Sequence, residues 1–343
     1  VRWEDIGGLE TVRQEILDLV ELPRKRPELF PPGCPVRRAV LLFGPPGTGK
    51  TLVARAVATE CDMHFISVKG PELLDVYVGE SEANVRRVFS RARAMQPSVV
   101  FFDELDALAP ARGRGGDGGG VMDRVVSQIL TEMDSLSAGG STNSDEGGFV
   151  IGATNRPDLL DGALLRPGRF DRSVYLSPCK QVSAREAVLR AQTRSLQLAT
   201  DVQLLAIAQT LPGVVTGADI GAVVGTAVAK ARRRLLQQLK REALAATTTL
   251  PSQGDLPSPA HVSRGDVIDA EEEEEESDDD DDAEADKRLW DSAAYIHALP
   301  AARLQLLLKQ ADLMSAVEEL RPSVSEAELR HYEKLAGTYG ANV

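Results

Sequence analysis

The sequence is poor in cysteine, in basic excess and in long apolar runs. Its three cysteines, Cys34, Cys61 and Cys179, form neither an even disulfide framework nor a metal-type spacing. So sparse a count suits a reducing cytosol. Hydrophobic residues make up 43% of the chain, yet no apolar run approaches the ~18 residues that a membrane span requires. No signal peptide opens the sequence, whose first residue is Val1. It therefore reads as a segment of a longer protein, from which any targeting signal or N-terminal domain is missing. A basic excess is lacking too. The net charge is −13, but fourteen acids crowd between Asp269 and Asp286; without them 38 acidic residues face 39 basic ones. Nothing resembles the basic footprint of a nucleic-acid binder, and no nucleic-acid partner is expected.

What is present centres on Ala39 to Thr51. Five apolar residues, Ala39 to Phe43, run into Gly44-Pro45-Pro46-Gly47-Thr48-Gly49-Lys50-Thr51 and then into Leu52, Val53, Ala56 and Val57 at helical spacing. A buried strand, a glycine turn and a helix in that order form a phosphate-binding loop. Its backbone N–H groups face a phosphate chain at the positive end of a helix. Lys50 is expected at the β- and γ-phosphates, and Thr51 on Mg²⁺.

A second apolar run, Val99 to Phe102, ends in Asp103-Glu104. An acid at that strand end holds Mg²⁺ through water, and a second one polarises the attacking water. Asp103 takes the first role and Glu104 the second. Ile151-Gly152-Ala153-Thr154-Asn155 is another strand with a polar end. Asn155 is placed to bond the γ-phosphate or the water; read alone, it is a strand-end turn residue. Arg166 and Arg169 lie three apart on a turn. Fixed, planar guanidinium charge suits a transition-state phosphoryl group and is often supplied in trans. Read alone, they are surface ion-pair residues.

Further strands are predicted at Phe65–Val68, Phe149–Ala153 and Val174–Leu176. Helices are predicted at Glu10–Leu22, from Ser81 (as cap) onward, and at Met122–Leu136. Strands alternating with helices predict an α/β doubly wound parallel sheet. After residue 180 only helices are expected: Ala184–Arg194, Val202–Gln209, Asp219 to about 245, a helix from about Ala301, and Glu326–Tyr339. The expected domains are a large α/β domain at 1–180, a helical lid at 181–245, a disordered acidic insertion at 246–288, and closing helices of the lid at 289–343. The insertion has too few apolar residues to offset the entropy of ordering. Ser277 within it is a candidate for phosphorylation, against the blander reading of a solvated spacer.

These motifs, with Asp5-Ile6-Gly7-Gly8, Gly152-Ala153-Thr154-Asn155-Arg156-Pro157 and Arg166-Pro167-Gly168-Arg169-Phe170-Asp171, together resemble the AAA ATPases in the narrow sense, the group of the valosin-containing-protein unfoldase. The resemblance covers residues 1 to about 245 and again about 310 to 338. It implies a P-loop NTPase fold with a small helical lid, and a hexameric ring with ATP bound between subunits. It implies that Pro46, Gly47, Thr48, Gly49, Lys50, Thr51 and Leu52 line the ATP, that Asp5 and Gly7 lie around its adenine, and that Gly217 and Ala218 offer backbone at the sensor-2 position. Asn155 matches sensor 1, and Arg166 and Arg169 match arginine fingers that reach a neighbour's ATP. Asp75-Val76-Tyr77-Val78-Gly79 matches the first pore loop, where Tyr77 grips a polypeptide substrate by contact area and Val78 adjoins it. Arg112 to Gly119 matches the second pore loop.

Leu105 to Ser127 and Arg321 to Leu329 are similar to the second ATPase domain of the sixth-peroxin family of peroxisome-biogenesis ATPases, although the valosin type shares much of the former stretch. That similarity implies a heterohexamer with the first peroxin. It also implies a ubiquitinated import receptor as substrate, a membrane anchor protein bound through the missing N-terminal regions, and a cytoplasmic location with recruitment to the peroxisomal membrane. Three positions depart from the pattern. Gly162 stands where proline is usual, Ser135 replaces a glycine in Met133-Asp134-Ser135-Leu136, and Gln192 lies near a position where some relatives place a histidine by the adenine. Three functional classes follow: an ATP-driven unfoldase of the peroxin or valosin type, a ring scaffold that binds nucleotide with little turnover, and a nucleic-acid motor, which the neutral core disfavours.

Overall fold

The computed structural model describes residues 1–30, 37–73, 79–108, 119–138, 148–248 and 299–340. The pore-loop residues Tyr77 and Val78, residues 112–118 of the second loop, and the acidic run with Ser277 lie outside them.

Five strands form one sheet: β1 (Ala39–Phe43), β2 (His64–Lys69), β3 (Ser98–Asp103), β4 (Gly148–Thr154) and β5 (Ser173–Tyr175). Their order is β2-β3-β4-β1-β5, and every pairing is parallel. β1 and β4 are buried along their whole length, as expected of central strands covered on both faces. Side chains alternate between those faces. Val40, Leu42, Val99, Phe101 and Ile151 point to one side. There they meet α1 (Glu10–Lys25) and α2 (Lys50–Glu60), through Ile16, Val20, Val53 and Val57. Leu41, Val100, Phe102 and Val150 point to the other. They pack on α3 (Glu80–Ala94), the short α4 (Leu105–Leu108) and α5 (Gly119–Ala138), through Val85, Phe89, Leu105 and Ile129.

A separate apolar cluster forms the lid. It joins α6 (Val182–Thr193), α7 (Leu204–Thr210) and α8 (Gly217–Thr248). Leu308, then Leu313 and Ala316 of α9 (Gln310–Glu318), return from beyond the undescribed segment to complete it. Strands do occur after residue 180: β6 (Gln197–Leu198) and β7 (Leu307–Leu308) pair in parallel. Two-residue strands are too short to carry an alternating pattern. The helix expected from about Ala301 is a 3-10 turn at Ala301–Leu304, then β7, and only then α9.

The last helix, α10 (Glu326–Tyr339), leaves the lid and packs Tyr332 and Leu335 against Phe43 and Tyr175 at the ends of β1 and β5. Its cap is Ser325, whose Oγ accepts from the Glu328 N–H. Ser81 is not the cap of α3. Gly79 takes that place with φ +87°, and Ser81 is buried inside the first turn.

Candidate active site

Parallel register brings the carboxyl ends of β1, β3 and β4 to one edge, where ligands of such sheets bind. The loop after β1 is shaped by glycine. Gly44, Gly47 and Gly49 have φ of +148°, +77° and +92°, a region that side chains avoid. A Cβ on Gly44 would lie 2.4 Å from the Leu176 carbonyl oxygen, and one on Gly47 would lie 2.7 Å from Ala218 Cβ. Lys50 opens α2 and is only 8% exposed. Its ammonium donates to the Gly44 and Pro45 carbonyls at 2.9 and 2.8 Å, while the Thr48 hydroxyl also donates to Pro45 O at 2.9 Å. Burial pushes the Lys50 pKa down to about 8, against the upward pull of Asp103 and Asp106.

The acidic half faces this loop. Thr51 Oγ1 donates to Asp103 Oδ2 at 2.9 Å, and the Glu104 N–H donates to Asp103 Oδ1 at 3.0 Å. Asp103 is thus fixed from both sides. Glu104 has φ +54°, left-handed for a residue with a side chain, and it is exposed beyond the strand end. Such conformations cost of order 1–3 kcal/mol and cluster at functional sites. Among the described residues no group of three His, Cys, Asp or Glu side chains could hold a metal. The donor set, a hydroxyl and a carboxylate, instead fits Mg²⁺ as substrate phosphates bring it, with phosphate and water oxygens as its other ligands.

Asn155 follows β4 directly and is half-buried. A bond that the sequence did not reveal sets the position of its strand end. Thr154 Oγ1 donates to Asp106 Oδ1 at 2.6 Å and accepts from the Arg156 N–H at 2.9 Å. Asp106 lies two residues past Glu104, so this bond ties the ends of β3 and β4 together. The Asp-Glu-x-Asp spacing was the available signal; the partner, 48 residues away, was not.

The opening segment joins the two halves of the molecule. Trp3 packs with the large-domain core, whereas Gly7 lies so close to α6 that a Cβ there would fall 2.3 Å from the Ala187 carbonyl carbon. Asp5 Oδ2 accepts from the Arg2 N–H at 2.8 Å. On the lid side the Ala218 N–H donates to the Gly47 carbonyl at 3.0 Å, and Gln192 Nε2 donates to the Gly217 carbonyl at 2.8 Å. Gly217 and Ala218 thus lie against the phosphate loop, while Gly7 lies on α6 and Asp5 Oδ1 accepts from Arg194 at its end. Pro46 is exposed on the loop, and Leu52 is 47% exposed on the first turn of α2.

The two arginines stand apart from this site. Arg169 forms a bidentate pair with Asp134 of α5, Nε to Oδ1 at 3.0 Å and Nη2 to Oδ2 at 2.8 Å, and donates to the Ala163 carbonyl at 2.8 Å. The hydrogen bonds from Arg169 hold the Asp134 carboxyl below its usual range. Arg166 is exposed and has no side-chain partner among the described residues. Neither arginine bonds the phosphate loop or the Asp103–Glu104 pair of its own chain.

Residues 40–178 match the ATPase family associated with various cellular activities (AAA). Those residues form an AAA ATPase domain. Three curated relatives, each named "Peroxisomal ATPase PEX6", are similar to it. That of Debaryomyces hansenii is 45% identical over 332 residues, covering 97% of this chain and 25% of the relative. That of Saccharomyces cerevisiae is 44% identical over 339 residues, covering 99% and 29%. That of Arabidopsis thaliana is 51% identical over 270 residues, covering 79% and 28%. The chain thus spans about a quarter of the length of these curated relatives. No described helix is long and apolar enough to cross a membrane.

Proposed function

We propose that this chain is the ATP-hydrolysing unit of a ring-shaped AAA motor that pulls on polypeptide. The observation that carries the reading is the Thr51–Asp103 hydrogen bond, which brings the phosphate loop and the acidic strand end into one site with Lys50 buried beneath it. The loop N–H groups and Lys50 bind the phosphates. Thr51 and Asp103 would hold Mg²⁺, which supplies positive charge against the phosphate oxygens when bound. Glu104 accepts a proton from the water whose oxygen bonds to the γ-phosphorus as the β–γ bridging bond breaks and ADP leaves. Asn155 orients that water. Arg166 and Arg169 of a neighbouring subunit stabilise the charge of the transition state.

At the level of the whole protein, the names of the relatives support a role in peroxisome biogenesis. In that reading the chain assembles with the first peroxin in a heterohexamer and is anchored at the peroxisomal membrane through regions outside this segment. It extracts the ubiquitinated import receptor by the grip of Tyr77 and Val78. Glu104→Gln tests the chemistry: ATP binding is retained and phosphate release falls about 10²- to 10³-fold, the scale of a lost general base. Unchanged turnover would reject Glu104 and favour a nucleotide-bound scaffold. Purification of the full-length protein tests the assembly, since homohexamers alone would favour a valosin-type segregase.

A further inference from the structure

The start of α8 carries a buried carboxylate that no step above uses. Asp219 is 6% exposed and Thr216 is fully buried. Asp219 Oδ2 accepts from the Thr216 N–H at 2.8 Å, and Thr216 Oγ1 accepts from the Asp219 N–H at 3.2 Å. This is the reciprocal pairing of a helix capping box. A cap alone needs only one carboxylate oxygen. Here the other, Oδ1, accepts from the Ser323 N–H at 3.1 Å, 104 residues on in the chain. The Thr216 and Ser323 hydroxyls also meet at 3.4 Å.

The same turn touches the phosphate loop. The Ala218 N–H holds the Gly47 carbonyl at 3.0 Å. In a planar trans peptide the carbonyl and the next N–H point in opposite directions. With the Gly47 carbonyl held toward α8, the Thr48 N–H is turned toward the other side of the loop. That N–H has no backbone acceptor among the described residues, and such N–H groups are what bind phosphate. Ser323 also leads into α10, whose Tyr332 and Leu335 pack on Phe43, the residue before Gly44. The C-terminal segment thus braces the loop twice, from beneath at Phe43 and from the side through Asp219.

We propose that Asp219 is a positioning residue for the phosphate loop. By tying Thr216 to Ser323 it locks Ala218 onto Gly47, orients the Gly47–Thr48 peptide, and makes residues 323–339 part of the nucleotide site. The inference rests on the ATP-binding reading above.

The test is Asp219→Asn, which keeps the shape but cannot accept from both N–H groups, made in the full chain. Hydrogen exchange of the nucleotide-free protein is followed peptide by peptide, and ATP and ADP affinities are measured beside it. Exchange should speed up at residues 44–51 and 321–325, with α6 and α7 unchanged, and both affinities should weaken about tenfold, the scale of a lost hydrogen bond to a charged group. Equal loosening throughout the lid with loop exchange unchanged would reduce Asp219 to a helix cap and overturn the proposal, as would affinities within twofold of the parent. Should Asp219→Asn not fold, Thr216→Val, which keeps the carboxylate, must show a smaller change in the same two peptides; no change there also overturns it. Failure of the parent protein to bind ATP would sink the ATP reading instead, while the exchange comparison still decides whether Asp219 holds the loop.

Discussion

Lys50 sits where burial and charge oppose each other. Burial brings its pKa to about 8, with Asp103 and Asp106 resisting, so the free site sheds this proton at mildly alkaline pH. A bound phosphate chain favours the charged form and raises the pKa again. By linkage, ATP affinity is full below the free-site value and falls as pH rises through about 8, by up to tenfold per unit. Dissociation constants measured between roughly pH 7.5 and 9.5 should show this fall, and Lys50→Met should bind weakly with the dependence removed. A flat profile in the parent protein would mean that Lys50 stays charged throughout. The residues of this site were legible because phosphate chemistry dictates their type and spacing: glycines where φ is positive, one lysine, one hydroxyl, two acids. Their supports were not. Asp106 finds Thr154, Asp134 finds Arg169 and Asp219 finds Ser323 only once the chain has folded, and no local pattern announces such a pair.

At the scale of the element, the lid is organised by Arg185 of α6, which is 6% exposed. Its guanidinium donates to five carbonyls, those of Cys179, Lys180, Ala208, Leu211 and Gly213, at 2.7 to 3.3 Å. Among the described residues no carboxylate pairs with it. It therefore gathers the segment between β5 and α6 and the end of α7 into one unit. Lysine offers three donors from a single point and cannot span this fork. Arg185→Lys should cost about 3 kcal/mol, through carbonyls left buried and unpaired. Urea unfolding would show a lower midpoint at unchanged slope; a loss below about 0.5 kcal/mol would contradict the assignment. The five large strands were readable from their apolar runs. β6 and β7 were not, because pairing of so few residues is imposed by the lid packing around them. The packing of α10 on β1 and β5 was equally hidden: its amphipathic pattern shows that one face is buried, not against what.

For the whole molecule, the charge distribution already separated the acidic run from a nearly neutral remainder. The fold adds that the nucleotide cleft is a seam between two bodies, crossed by Ala218 on Gly47, by Gly7 on α6 and by the Arg194–Glu4 ion pair. The two arginines proposed for the transition state lie away from it, with Arg169 engaged by Asp134 and Arg166 open to solvent. In the proposed reading, one chain alone holds an incomplete site, and turnover depends on assembly. The most direct measurement is phosphate release per chain against protein concentration, with sedimentation in parallel, in the presence and absence of the partner ATPase. Turnover should be low in the monomer, rise with ring formation, and disappear when the subunits supplying the fingers carry Arg166→Ala with Arg169→Ala. Turnover from a monomer that does not change with concentration would contradict it.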